Sequence, residues 1–206
     1  MFDFLERFRT NRHQWDAHRA PVVPVRALVQ GTYARVMGVV EGSATPLVSP
    51  LLRRPCVGWI ARVDEKQWER VREDDDIPWW KTEIDLRQCT PFSILDAEGQ
   101  RLFVDARAID MRVVELPKVN EAPEVNDDHP QLQSFMRANG MPTTRHMGIA
   151  GEHRFFEWSL QPGARVALYG WVEVATDVGA AAYRDVATTR WVLTGSPEKP
   201  VLIYAL

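Results

Sequence analysis

Cys56 and Cys89 are the two thiols that could act as nucleophiles in this sequence of 206 residues. Arg53 and Arg54 precede Cys56, and a nearby positive charge or base favours the reactive thiolate. Cys56 also begins an alternating apolar segment, which is typical of a small buried side chain. We therefore predict two core cysteines and leave open whether they form a disulfide. A hydrolase that uses Cys56 is the least favoured function.

The histidines offer one other candidate for chemistry. His146 and His153 flank Glu152 and could approach a metal ion with it, while Glu152, His153 and Glu157 could form an acid–base cluster of a hydrolase. Their spacing matches no familiar metal-binding pattern, and we find no phosphate-binding glycine loop, nucleophile elbow or Cys-x-x-Cys pair. We therefore predict surface histidines, no catalytic residue, no metal and no cofactor.

A run of acids followed by two tryptophans is the next unusual feature. Asp74, Asp75 and Asp76 lack the alternating ligand spacing of a calcium loop, so we predict a solvated hairpin tip there. Trp79 and Trp80 follow as paired aromatic residues on a loop. Capping one end of the barrel core is the favoured interpretation, and a surface that contacts a partner or ligand is the other.

The amino terminus carries a second candidate contact surface. Phe2, Leu5 and Phe8 lie at three-residue spacing among arginines, which predicts an amphipathic helix over residues 1–20 that could contact a membrane surface. The alternative, which we favour over the membrane contact, is that this helix packs on the rest of the chain or is the stub of a trimmed anchor. Residues 21–206 are predicted to form a single β domain.

Most of the chain has apolar residues at period two, the spacing of a strand with one buried face. Asp96 and Gly99 suit a tight turn, so we predict a hairpin that joins Phe92–Leu95 to Gln100–Asp105. Gly170 inside a predicted strand indicates a bulge or a close backbone approach. The other predicted strands are Tyr33–Val40, Val57–Val63, Thr82–Gln88, Asp110–Glu115, Phe156–Leu160, Arg165–Val174, Arg184–Leu193 and Val201–Tyr204.

One internal segment departs from this pattern. Pro130 near the first helical position, apolar residues at Leu132, Phe135 and Met136, and a glycine stop at Gly140 predict a short helix near residues 129–139. The predicted fold is therefore mainly β. We expect an antiparallel β-barrel or sandwich, of which an oligonucleotide-binding-like barrel is one form, with this inserted helix and the amino-terminal helix.

Composition limits the classes of function. The net charge is −3, which disfavours nucleic acid as a partner. The longest stretch without a charged residue is Gly42–Leu52, eleven residues, against roughly 20 for a membrane-spanning helix. No signal peptide is indicated, so we expect a cytoplasmic protein that is peripheral to a membrane if residues 1–20 bind one.

Four stretches, read in order, resemble the GIDE-type domain, also called the beside-a-membrane domain, of a mitochondrial membrane-anchored ubiquitin and SUMO ligase and its prokaryotic relatives. The resemblance runs from about Val25 to Ile203 and implies a β-rich, non-catalytic domain for sensing, scaffolding or protein interaction. The four stretches are Gly38–Trp59 with its Pro-Leu-Val-Ser-Pro and Arg-Pro-Cys-Val motifs, Thr90–Asp105, His129–Phe135, and Glu157–Gly170 with Leu-Gln-Pro-Gly.

The resemblance does not extend to the zinc-binding RING of the ligase. A RING needs about eight cysteine and histidine ligands at paired spacings, and two cysteines cannot supply them, so no ubiquitin-ligase activity is expected. The predicted function is a non-enzymatic binding or scaffold module that recognises a protein partner or a small ligand. The alternative is a single-stranded nucleic-acid-binding domain that uses aromatics such as Tyr33, Trp79 and Trp80.

Overall fold

The computed structural model describes residues 12–72, 75–110, 130–141, 153–177 and 188–206. These residues contain twelve strands and two α-helices. Helix α1 covers residues 12–19 and helix α2 covers Pro130–Ala138. Short 3-10 helices occur at Val25–Ala27 and Ala106–Ala108. The strands are β1 (Tyr33–Gly42), β2 (Leu47–Val48), β3 (Pro55–Cys56), β4 (Gly58–Arg72), β5 (Asp75–Cys89), β6 (Phe92–Leu95), β7 (Arg101–Val104), β8 (Ile109–Asp110), β9 (His153–Leu160), β10 (Arg165–Asp177), β11 (Thr188–Thr194) and β12 (Val201–Ala205).

Five of these strands close into a barrel, which confirms the mainly β prediction and selects the barrel. The order around it is β1, β6, β7, β11, β10 and back to β1. All pairs are antiparallel except β7 and β11, which run parallel with Phe103 opposite Val192. Numbered along the chain, the barrel strands therefore follow the order 1-2-3-5-4. A closed five-stranded Greek-key barrel of this kind is the architecture of the oligonucleotide-binding fold.

The predicted hairpin is β6–β7, and its turn is held by one side chain. The Asp96 carboxylate accepts hydrogen bonds from the backbone amides of Glu98 (2.9 Å) and Gln100 (2.8 Å). Gly99 has φ +75°, a left-handed conformation that glycine adopts without steric cost. The two residues that predicted the hairpin, Asp96 and Gly99, therefore also stabilise its turn.

Gly170 in β10 is a point of close approach, as predicted. A Cβ atom there would lie 2.9 Å from Leu193 Cγ and 3.0 Å from the Thr194 carbonyl oxygen. A side chain at this position would thus overlap the neighbouring strand, because packed interiors leave no room for an extra methyl group. The missing side chain lets β10 turn from its contact with β12 to its contact with β11.

A second sheet stands beside the barrel. Strands β5, β4 and β9 form it in that order, and both pairs are antiparallel. The β4–β5 hairpin is inserted between the first two barrel strands, whereas α2 and β9 lie between the third and fourth. Pro78 in β5 suits an edge strand, since proline has no amide N–H to donate.

The barrel core and the core beneath α2 are separate clusters, although Leu160 at the end of β9 belongs to the barrel core. Barrel residues such as Val36, Ile94, Leu168 and Leu193 are fully buried together. A second cluster packs α2 against one face of the three-stranded sheet. Its buried members are Leu51, Ala61, Val63, Ile84, Leu132, Phe135, Met136 and Phe155. The helix predicted near residues 129–139 thus serves the second sheet rather than the barrel.

Helix α1 packs against the outside of the barrel. Ala17 is fully buried in a cluster with Tyr169 and Leu202, and His13 Nε2 lies 2.9 Å from the Pro200 carbonyl oxygen. Residues 12–19 therefore follow the alternative in which the amino-terminal helix packs on the domain. Phe2, Leu5 and Phe8 lie outside the described residues.

Trp79 and Trp80 lie in strand β5 and not on a loop, so the loop prediction was wrong. The physical reason is that pairing with β4 already includes Asp75 and Asp76, which were predicted in a solvated hairpin tip. The predicted strand Asp110–Glu115 lies almost wholly outside the described residues, as do residues 184–187.

Candidate functional site

A groove crosses the outer surface of the barrel over β6, β7, β11 and β10. Its volume is about 580 Å³, within the roughly 300–1,000 Å³ that is usual for ligand sites. One end is bounded by the connection that follows β1, at Ser43 and Ala44. The side chains that matter most for its chemistry are Ser93, Phe103, Glu173, Ala175, Arg190 and Val192.

Strand register brings four residues of this groove into a row, with two apolar side chains between two polar ones. Ser93 pairs with Phe103, Phe103 with Val192, and Val192 with Glu173, so four adjacent strands each contribute one outward side chain. Their chain neighbours, such as Leu102 and Leu193, point inward and are fully buried in the barrel core. In each of these strands, therefore, alternate residues form the floor of the groove and the residues between them form the core of the barrel.

A cation covers part of this floor. The Arg190 guanidinium carbon lies 4.5 Å from the ring centroid of Phe103, a cation–π contact. Ala175 pairs with Arg190 on the adjacent strand and also lines the groove. The centre of the groove is consequently an apolar surface of one ring and small aliphatic side chains.

The ionised side chains of the groove balance one another. Arg107 and Arg190 are its cations, and Asp105 and Glu173 are its anions. Arg107 Nε donates to Asp105 Oδ2 at 2.7 Å, and this hydrogen bond holds the pKa of Asp105 below its usual value although burial acts in the opposite direction. The lining therefore has no net charge with which to attract a polyanion.

A hydrogen-bonded triad borders the groove at Ser93. Glu41 accepts a hydrogen bond from Ser93 Oγ at 2.8 Å and bonds from Arg101 Nε and Nη2 at 2.6 and 2.8 Å. The bond from Arg101 is the main cause that lowers the pKa of Glu41. The triad fixes Ser93 at the edge of the row, so this hydroxyl has a defined position from which to meet a ligand.

The two tryptophans singled out in the sequence do not form one platform. Successive strand residues face opposite sides of a sheet, and Trp79 and Trp80 follow this rule. Trp79 is 45% exposed, while the Trp80 ring lies under Arg154, whose guanidinium carbon is 4.4 Å from the ring centroid. Lys66 Nζ is 5.9 Å from the same ring. The two rings therefore lie on opposite faces of the sheet, Trp80 beside Arg154 and Trp79 opposite Gln67.

Tyr33 lies in a separate aromatic group. Its ring stacks on Tyr169 at 5.5 Å between centroids and contacts Trp171 edge-on at 5.2 Å. His13 of α1 completes the group at 5.5 Å from Tyr33. Tyr33 thus packs beneath the amino-terminal helix and shares no surface with Trp79 or Trp80.

Both cysteines are free thiols with raised pKa values. Burial is the main cause in each case, and it raises the pKa of Cys89 to about 12. Cys56 is 1% exposed, as predicted for a core residue. These surroundings oppose the thiolate form, whereas a nucleophilic cysteine needs surroundings that favour it.

Glu157, predicted as one member of an acid–base cluster, has a backbone role. Its carboxylate accepts hydrogen bonds from the amides of Leu51 (2.6 Å) and Leu52 (3.1 Å). His153 Nε2 lies 4.0 Å from Glu65 Oε1. His146 and Glu152, the other members of the predicted metal or hydrolase clusters, lie outside the described residues.

Within the described ranges, no three His, Cys, Asp or Glu side chains come together as ligands for a metal ion. No helix in that part of the chain is long and apolar enough to cross a bilayer.

The groove residues were missed at the level of sequence, although a signal existed. The strands β7 and β11 were predicted, and alternation from the buried Leu102 and Leu193 places Phe103 and Val192 on the outer face. What alternation could not show is that these two residues become neighbours. That pairing depends on a parallel contact between strands separated by more than eighty residues.

Comparison with known proteins found no protein-family model and no curated protein that matches the sequence.

Proposed function

We propose that this protein is a non-enzymatic binding module that holds an uncharged, largely apolar segment of a partner protein in the groove on its barrel. The observation that carries the proposal is the apolar pair Phe103 and Val192 at the centre of the row, in a groove whose lining has two positive and two negative side chains. Apolar concave surfaces with a few placed polar groups are the usual form of a binding site. A small apolar ligand would meet the same chemistry.

The barrel architecture supports this location by analogy. In five-stranded Greek-key barrels the face of the second and third strands and the adjoining loops bind ligands. The groove lies over those strands, β6 and β7, and begins at the connection after β1. Fold analogy alone does not identify a ligand, so the chemistry of the lining decides its class.

The resemblance to the GIDE-type domain agrees with this proposal. It implies a non-catalytic domain for protein interaction, and it includes Thr90–Asp105, the stretch that forms β6 and β7. A cytoplasmic location near a membrane surface forms part of the proposal. Residues 1–20, with Phe2, Leu5 and Phe8, would supply the membrane contact.

Single-stranded nucleic acid is the second candidate ligand, and the barrel architecture is what favours it. Phe103 could stack on a base, but the Arg190 guanidinium already lies over its ring. The lining contains two cations and two anions, and this balance of charge does not suit a phosphate backbone. We therefore place nucleic acid second.

The test is selection of peptides on the folded protein from a random phage-displayed library. Enriched peptides should be apolar at their centre and should bind as labelled synthetic peptides in fluorescence anisotropy. Val192→Arg puts a long charged side chain in the middle of the row and should weaken binding by about tenfold or more, because a central contact dominates an interface. The matched control is Val39→Arg, a strand valine that is 40% exposed outside the groove, and it should change affinity by less than about twofold.

Three results would contradict the proposal. Peptides that bind wild type and a folded Val192→Arg variant equally would show that the groove is not the site. Stabilisation by small apolar compounds, with no peptide enriched, would assign the groove to a small molecule. Binding of labelled oligo(dT) at low salt that is lost in Val192→Arg would assign it to nucleic acid.

A further inference from the structure

The three-stranded sheet has a second face, opposite α2, that carries polar and aromatic side chains. Strand alternation separates the two faces of β4: Ala61 and Val63 pack against α2, and the residues between and after them lie on the other side. We call that other side the open face. Its central residues are Arg62, Asp64, Lys66, Trp80, Arg154 and Phe156.

A fully buried carboxylate lies at the centre of the open face. Asp64 is 0% exposed and accepts hydrogen bonds from Arg62 Nε (2.6 Å), Arg154 Nε (2.9 Å) and Thr82 Oγ1 (2.9 Å). Each arginine also approaches it with Nη2, at 3.0 Å for Arg62 and 2.8 Å for Arg154. The three partners come from three different strands, so the carboxylate links all three strands of the sheet.

This arrangement leaves positive charge at the surface. Burial raises the pKa of Asp64, but the hydrogen bonds from Arg62, Thr82 and Arg154 outweigh it, and the carboxyl group stays ionised with its pKa below the usual value. One negative charge therefore faces two guanidinium groups. Lys66 adds a further cation beside Trp80. Asp85, opposite Arg62 on the same face, is paired with Arg87 and leaves this excess unchanged. The described part of the open face is thus cationic on a chain whose net charge is −3.

The two guanidinium groups are held in place before any ligand arrives. Each uses Nε and Nη2 on Asp64, yet the Arg62 and Arg154 side chains remain 43% and 32% exposed. A guanidinium has five N–H donors, so each retains donors beyond those two nitrogens. Fixing the side chains in advance lowers the entropy that binding would otherwise cost.

The aromatic rings narrow the class of ligand. The Arg154 guanidinium carbon lies 4.4 Å from the Trp80 ring centroid and 5.2 Å from that of Phe156. Arg62 lies 5.9 Å from Phe156. A nucleic-acid base needs an uncovered ring face for stacking, and cations already occupy positions over these rings. A carboxylate needs only the guanidinium edge, which it can meet with two parallel hydrogen bonds.

We propose that the open face binds an acidic segment of a partner protein, whose carboxylates meet Arg62 and Arg154 while its apolar side chains lie against the ring edges of Trp80 and Phe156. The charge of the face is complementary to such a segment. This contact is separate from the barrel groove and adds a second surface to the proposed module. It also gives a specific role to Trp80, one of the two tryptophans singled out in the sequence.

The probe is a fluorescein-labelled oligo-glutamate peptide, measured by fluorescence anisotropy at low salt with the full chain. Arg154→Gln should weaken binding about tenfold, since a charge-assisted hydrogen bond to a carboxylate is lost. Lys66→Gln should weaken it about threefold and leaves the Asp64 contacts in place. Thermal unfolding followed by circular dichroism accompanies each variant, and Lys66→Gln carries the test if Arg154→Gln does not fold.

The matched control is Lys81→Gln, which changes the net charge by the same amount on the same sheet. Lys81 pairs with Glu83 and neighbours Thr82, so its side chain lies on the face opposite Lys66. Equal weakening by Lys66→Gln and Lys81→Gln would show a net-charge effect and overturn the proposal. Tighter binding of oligo(dT), or of phosphatidylserine vesicles, than of oligo-glutamate would overturn it too. None of these substitutions touches the groove, so such a failure leaves the proposed function standing.

Discussion

At the scale of single residues, Asp96 shows how one carboxylate can join two parts of the chain. It is 8% exposed and closes the β6–β7 turn, and its Oδ2 also accepts a hydrogen bond from the amide of Val25 at 2.9 Å. Burial raises the pKa of Asp96, while the bonds from Val25, Gln100 and Glu98 lower it further than burial raises it. The turn and the segment before β1 therefore depend on the same ionised group.

Asp96→Ala should lower the free energy of unfolding by about 2 kcal/mol, because a buried donor left without its acceptor costs on the order of 1–3 kcal/mol. Urea denaturation at neutral pH measures the change. Asp85→Ala is the control, since Asp85 is an exposed partner of Arg87 and an exposed ion pair contributes about 0–1 kcal/mol. Equal losses in both variants would contradict the role assigned to Asp96.

At the scale of elements, α2 and the three-stranded sheet form a unit with its own core. Leu132 is fully buried against Ala61, Val63 and Phe155. The barrel core contains none of these residues. The open face and the groove therefore depend on different packing, and a defect under α2 should loosen the sheet more than the barrel.

Leu132→Ala should cost about 2–5 kcal/mol, the usual effect of emptying a leucine site in a core. Hydrogen exchange with mass spectrometry should show faster exchange in peptides from β4 and β9 and little change in the part of β10 that pairs with β1. Ser134→Ala, an exposed substitution on the same helix, should leave both regions unchanged. Hydrogen exchange that becomes equally faster in the barrel and in the sheet would contradict the division into two units.

At the scale of the whole molecule, the shifted ionisable groups define a pH range of maximal stability. Among the described residues, four carboxyl groups have lowered pKa values, and the two cysteine thiols and the phenols of Tyr33 and Tyr169 have raised ones. A carboxyl group with a lowered pKa stabilises the fold above its unfolded pKa and loses this effect as pH falls through its folded pKa. A thiol with a raised pKa stabilises the fold below its unfolded pKa and loses this effect as pH rises.

Stability should therefore be nearly flat at neutral pH, fall below about pH 4 and fall again above about pH 9. Urea denaturation across this range measures both limbs. Cys89→Ala should reduce the alkaline slope, because Cys89 has a pKa of about 12 in the fold. Asp64→Asn should reduce the slope with which the free energy of unfolding falls at acid pH. An alkaline limb that is as steep in Cys89→Ala as in wild type would contradict the assignment.

The sequence by itself determined the local elements of this protein. Alternation identified strands such as Arg165–Val174 and Thr82–Gln88, the turn residues Asp96 and Gly99 identified a hairpin, and capping and spacing identified α2. These signals are readable because each depends on residues only a few positions apart. The loop assigned to Trp79 and Trp80 failed because composition does not mark where a short turn ends.

Only the tertiary structure decided which strands meet. The parallel contact between β7 and β11 closes the barrel and brings Phe103 beside Val192, and the β4–β9 pairing brings Arg154 to Asp64 across ninety residues of sequence. No local pattern encodes such pairs, because their energy comes from burial and hydrogen bonds that exist only after distant segments have packed. The groove and the open face are both products of those long-range pairings.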